Sequence, residues 1–139
     1  MIGPKRTPLT KAEERDAYET VTHRDAGTCQ RCRRPGLHVE RDHRQGRDAF
    51  NTTPANLQLL CGPFSPEGGC HLWKTEHPAE ALAEGWTVPR HADPAEWPAR
   101  RWLRAVFGLR AAWVLYRNDG TWVEITEHDA LERMGREGT

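Results

Sequence analysis

Between Leu9 and Val21 the apolar residues Leu9, Ala17, Tyr18 and Val21 fall on one helical stripe, and Thr10-Lys-Ala-Glu13 at its start is a reciprocal capping pattern. A helix is therefore predicted from Thr10 to about Asp25, with Gly27 just past its end. The period then falls to two. Leu37, Val39 and Arg41 alternate with His38, Glu40 and Asp42, which predicts a short strand. Leu57-Gln-Leu-Leu60 predicts a second, and the polar, aperiodic stretch from Arg44 to Ala55 reads as the loop between them. Gly62 to Gly69 holds three Gly and two Pro and must be another loop. A helix is expected to start at Cys70 or His71 and end before Pro78, where Pro78 opens a further short one closed by Gly85. Trp86 to Trp97 is Pro-rich and reads as irregular. Two β-rich runs between Ala111 and Ile125 flank Asn118-Asp119-Gly120, a hairpin turn, and Thr126 and Asp129 begin a last helix ending at Gly135. The fold class that results is α+β.

Hydrophobic residues make up 37% of the 139, so the core is thin and a structural metal would help to hold it. The six Trp, spread from Trp73 to Trp122, read as packing for that core rather than as stacking platforms for bases. No apolar run is long enough for a membrane span or a signal peptide, so a cytoplasmic location with no membrane partner is expected. In a reducing compartment, paired cysteines more often bind metal than form disulfides. Net charge is zero, which argues against a protein that coats nucleic acid through charge alone. The charge is unevenly spread, with five Arg and no acid from Arg100 to Arg117.

The four cysteines are Cys29, Cys32, Cys61 and Cys70. Cys-x2-Cys offers two soft ligands from one turn, and Cys61 with Cys70 would complete a zinc tetrahedron. Eight residues separate that second pair, where two to four is usual, so the Gly/Pro-rich stretch must run out and back. Whether Cys70 or its neighbour His71 is the fourth ligand stays open.

Between the pairs stand Asp42-His43 and Asn56. Phosphodiester hydrolysis needs a group to deprotonate water and a cation to neutralise charge on phosphorus and on the leaving oxygen. His43 suits the first task, while Asp42 and His71 are a hard oxygen and a nitrogen ligand that suit Mg²⁺, Mn²⁺ or a later first-row divalent ion. Consecutive strand residues point to opposite faces, so Asp42 and His43 are expected to share a site only if the strand ends there and curls. Asn51-Thr-Thr-Pro54 looks like ordinary turn chemistry, so Asn56 is favoured over Asn51, which stays the alternative.

Taken together, Cys29-Gln-Arg-Cys32, Val39-Glu-Arg-Asp42-His43, Asn56-Leu-Gln-Leu-Leu60-Cys61 and Cys70-His71-Leu-Trp-Lys74 resemble the HNH endonuclease family, whose fold is the ββα-metal (His-Me) finger. The match covers roughly residues 26–78, and the chain looks most like the small members encoded by actinobacterial phages. The resemblance implies that His43 is the general base and that Asp42 and His71 hold the catalytic metal. It implies that Asn56 holds the loop between the strands and so orients His43, and that the four cysteines hold a structural zinc. It further implies cleavage of duplex DNA to 5′-phosphate and 3′-hydroxyl ends, in genome processing or packaging alongside phage terminase. His77 is a weaker candidate ligand, six residues after His71 and so on another helix face.

Arg41, Arg44, Arg47 and Lys74 lie beside the expected site and are candidate contacts to the DNA backbone. The organisation expected is a flexible arm over 1–9, a nuclease core over 10–85 and an extension over 86–139 made of a Pro-rich linker, a hairpin and a short helix. The reading from another class is a zinc-stabilised DNA- or protein-binding module without turnover, which would need the cysteines but not Asp42, His43 and His71. A sequence-specific homing or restriction nuclease should carry a recognisable DNA-reading domain, and the C-terminal residues show none.

Overall fold

The computed structural model describes residues 6–136. Residues 1–5 of the expected arm and 137–139 of the extension lie outside them. Helix α1 spans Lys11–Arg24, and its capping box is formed: the Thr10 hydroxyl accepts from the Glu13 amide and the Glu13 carboxylate accepts from the Thr10 amide. Strands β1 (Val39–His43) and β2 (Leu57–Cys61) pair antiparallel, from Val39 opposite Cys61 to His43 opposite Leu57. Helices α2 (Gly69–Glu76) and α3 (Pro78–Ala83) follow, the second with Pro78 in its first turn.

The two-stranded ribbon lies between helices. Leu57 and Leu59 pack on Ala17 and Val21 of α1, while Leu60 packs with Cys29, Cys70, Ala81 and Trp86 on the other side. This is the alternation that a strand buried on both faces must have. Every residue of β2 is buried, including Gln58, which hydrogen-bonds Asp42 and the Trp86 carbonyl.

A second sheet is three-stranded: β3 (Ala99–Arg104), β4 (Leu109–Tyr116) and β5 (Trp122–Ile125), all antiparallel. The β4–β5 hairpin stands at the expected turn, with Gly120 at φ +89° and Thr121 bonded to Asp119. Strand β3 was not expected. Its inward positions are Ala99 and Arg101, and an arginine at a core position hides the alternation. Arg101 is neutralised by Asp25, 2.7 Å away and buried at the end of α1, where Asp25 also pairs with Arg24. Helix α4 (Glu127–Arg133), capped by Thr126, is the last element among the described residues.

Two expected features change. Residues 6–9 are not a loose arm: the Leu9 amide bonds the Ala49 carbonyl, and Arg6 stacks over Phe50. Nor is the Pro-rich stretch a free linker. Prolines remove amide donors but leave carbonyls, and side chains from the β1–β2 loop use them. Gln45 Nε2 donates to Pro89 and Ala92, and Arg44 donates to Pro94, Trp97 and Pro98.

Candidate functional site

The β1–β2 ribbon carries a cluster of donors at each end. At the Val39/Cys61 end, the sulfurs of Cys29, Cys32, Cys61 and Cys70 all lie within 4.8 Å of one another and form a set that could hold a metal ion. The turn after α1 supplies the first two, the end of β2 the third and the first turn of α2 the fourth. The long excursion from Cys61 to Cys70 closes because Gly69, at φ +83°, lets the chain double back against its own start. A Cβ there would lie 2.5 Å from the Cys61 carbonyl and 2.8 Å from that of Gly62. The return places the Cys70 amide 3.2 Å from Cys61 Sγ. Cys70, not His71, therefore joins the thiols. Four thiols this close, three of them buried and Cys32 half-buried, resist sharing charge: a hydrogen bond from the Cys70 thiol pulls Cys29 down to about 4, while the same bond and burial drive Cys70 upward. A divalent cation at the centre is what would let all four ionise.

At the His43/Leu57 end the residues sort by face. The ladder runs through His43 without the expected curl, so Asp42 and His43 point to opposite sides. Asp42 faces α2. Its Oδ2 accepts from Lys74 Nζ at 2.6 Å and from Gln58 Nε2 at 2.8 Å, and its Oδ1 is 3.4 Å from His71 Nε2. Glu40, two residues earlier on the same face, places Oε2 2.9 Å from His71 Nδ1. Asp42 is 7% exposed, while the side chain of His71 is 43% exposed, so a cation held by both would be open to solvent.

His43 faces α1. Its ring meets Tyr18 edge-on, and Nε2 lies 2.9 Å from Thr52 Oγ1. Burial, then the nearby Arg47 charge, lowers its pKa below the ordinary 6.5, outweighing Asp42 and Glu14, so the ring stays neutral. Asn56, fully buried, accepts from the Gln45 amide at 2.8 Å and donates to the Gln45 and Asn51 carbonyls, while its own carbonyl accepts from the Arg44 amide at 2.7 Å. It staples the loop that begins immediately after His43. Asn51 is a turn residue, bonded to Asp48 and Gly46. Lys74 joins the two faces, since its ammonium also donates to the His43 carbonyl at 2.9 Å.

The candidate DNA contacts divide. Arg41 and Arg47 are exposed beside His43, leaning on Thr22 and Glu14 of α1. Arg44 is not available to a ligand: it is 1% exposed, and its guanidinium donates to the carbonyls of Ala55, Pro94, Trp97 and Pro98. No acid forms a salt bridge with it among the described residues, and burial brings its pKa down to about 10. Lys74 likewise spends its charge on Asp42 and His43 and is 13% exposed. His77 turns to Trp73, stacking on its ring and bonding its carbonyl.

Three residues of this end were missed from sequence. Glu40 and Gln58 had a signal, the first being in phase with Asp42 and the second a polar residue inside an apolar strand. Thr52 had none.

Comparison of the chain with protein-family models, with curated proteins and with solved structures finds no match. Among the described residues, no helix is long and apolar enough to cross a membrane.

Proposed function

We propose that this chain is a metal-dependent endonuclease of the HNH type, a ββα-metal finger that hydrolyses phosphodiester bonds in duplex DNA. The observation that carries the reading is the cluster of His71, Asp42 and Glu40 on one face of the end of β1, with a neutral, half-buried His43 at the same end on the other face. In this reading the four cysteines hold a structural zinc.

Asp42 Oδ1 and His71 Nε2, a hard oxygen and an imidazole nitrogen, would hold Mg²⁺, Mn²⁺ or another divalent ion. Bound there, it supplies charge neutralisation at the phosphate and at the leaving oxygen. The remaining work belongs to the chain. A phosphate lying across the end of β1 meets Asp42 on one side and His43 on the other. With Nε2–H donating to Thr52 Oγ1, Nδ1 keeps the lone pair that takes a proton from water. Asn56 keeps the loop after His43 from shifting, and Lys74 ties the His43 carbonyl to Asp42, so base and metal ligand move together. Arg41 and Arg47, on the face of His43, supply phosphate contacts. A role alongside phage terminase, in a bacterial host cytoplasm, belongs to the same reading and rests on family resemblance alone.

A second reading, a zinc-stabilised binding module without turnover, is favoured by one observation: Lys74 already neutralises Asp42 at 2.6 Å. Plasmid cleavage with Mg²⁺, Mn²⁺, Ni²⁺ or EDTA, run on the wild type and on His43→Ala, decides between them. Metal-dependent nicking that vanishes in a folded variant supports the nuclease. Wild type inert with every metal supports the binding module.

A further inference from the structure

We propose that Glu40 is a positioning residue that holds the His71 ring so that Nε2 is presented to a divalent cation shared with Asp42, and that Gly62 is glycine to make room for it. The proposal rests on the reading of this end of the ribbon as a metal site.

Glu40 and Asp42 share a face of β1, opposite Leu60 and Gln58 of β2. From that face they address different edges of one imidazole: Glu40 Oε2 meets Nδ1 at 2.9 Å and Asp42 Oδ1 faces Nε2 at 3.4 Å. The two ring nitrogens point away from each other, so a carboxylate on Nδ1 cannot also touch an ion on Nε2. What it can do is accept the Nδ1 proton. A neutral imidazole carries one N–H, and placing it on Nδ1 leaves the Nε2 lone pair free for the cation. The same contact fixes the ring's rotation on a side chain that is otherwise 43% exposed at the start of α2.

An independent observation is the notch that holds Glu40. Its other oxygen, Oε1, lies over Gly62, where a Cβ would stand 2.7 Å from the Glu40 carboxyl carbon as well as against Oε1. Gly62 is not in the left-handed region, unlike Gly68 and Gly69 beside it, so no turn requires glycine there. Its missing side chain answers to the carboxylate that crosses it.

The experiment uses the full chain with its cysteine site loaded. Long-range ¹⁵N–¹H spectra report which His71 nitrogen carries the proton, and calorimetric titration with Mn²⁺ or Co²⁺ reports affinity at the second site. Wild type should show the proton on Nδ1. Glu40→Ala should lose that preference and bind the ion about 10- to 100-fold more weakly, at an unchanged thermal midpoint. Glu40→Gln keeps an acceptor oxygen and should retain the tautomer with a smaller loss. Gly62→Ala should behave like Glu40→Ala although the glutamate is still present. The proposal is overturned by a proton on Nε2 in wild type, by equal affinity in Glu40→Ala, or by no ion bound at His71. Glu40-dependent binding in a protein that cuts no plasmid would sink the nuclease reading alone. Undiminished cutting and binding by Glu40→Ala would sink this one alone.

Discussion

The two ends of the β1–β2 ribbon draw opposite kinds of donor set from the same strands and the same helix. Cys70 and His71 are neighbours on α2, yet a helix turns about 100° per residue, and that turn sends one to the buried thiols and the other to the half-exposed carboxylates. At the thiol end every donor is soft, confined and supported by backbone. At the carboxylate end the donors are hard, mixed with a lysine and open to solvent. Burial with four matched donors makes a site that stabilises the fold. Exposure with few donors makes one that can exchange ligands and meet a substrate.

The widest separation between the two ends should come from metal removal. Stripping the cysteine site with a strong thiol-competing chelator should abolish cooperative unfolding by circular dichroism. Structural zinc contributes on the order of 10 kcal/mol in finger peptides, which is as large as the whole stability of an ordinary domain. EDTA levels that empty only the carboxylate end should leave the thermal midpoint nearly unmoved. If both treatments unfold the protein alike, the comparison fails.

Arg44→Met tests whether the extension and the β1–β2 loop are one body. Removing a buried guanidinium that serves four carbonyls should cost about 3–5 kcal/mol in urea unfolding. A loss below about 1 kcal/mol would mean that those carbonyls find other partners.

On the nuclease reading, His43→Ala should lower plasmid nicking by roughly 100-fold or more while the protein stays folded and keeps any metal at its cysteine site. An active variant would remove His43 from the chemistry.

Gly69→Ala should cost about 1–3 kcal/mol, because the residue is left-handed and its Cβ would strike the Cys61 and Gly62 carbonyls; the fingerprint would be weaker metal retention at the cysteine site. The smallest change, and one of opposite sign, is expected at Phe64. It sits fully exposed at the tip of the excursion with φ +72°, so Phe64→Gly should raise the urea midpoint slightly.

Much of the ordering along the chain is local and was legible. The capping box at Thr10, the turn at Asn118-Asp119-Gly120 and the proline at the start of α3 each depend on contacts a few residues away. The donor types and their spacing were also visible, down to the need for Gly62 to Gly69 to run out and back. Harder to read were charges whose partners lie far along the chain. Arg44 in a polar loop looks like a surface residue. It is buried because carbonyls about fifty residues away, left without donors by prolines, close around it. Arg101 broke the alternation of β3 because Asp25, 76 positions earlier, neutralises it.

By itself, then, the sequence determined which residues could serve as ligands, caps and turn formers, since these follow from side-chain chemistry and from backbone preferences a few residues long. Tertiary structure alone decided which neighbour joins which centre. Gly69 doubling back under the Cys61 carbonyl brings Cys70 to the thiols, and the rotation of α2 then has nowhere to send His71 but across to Glu40 and Asp42.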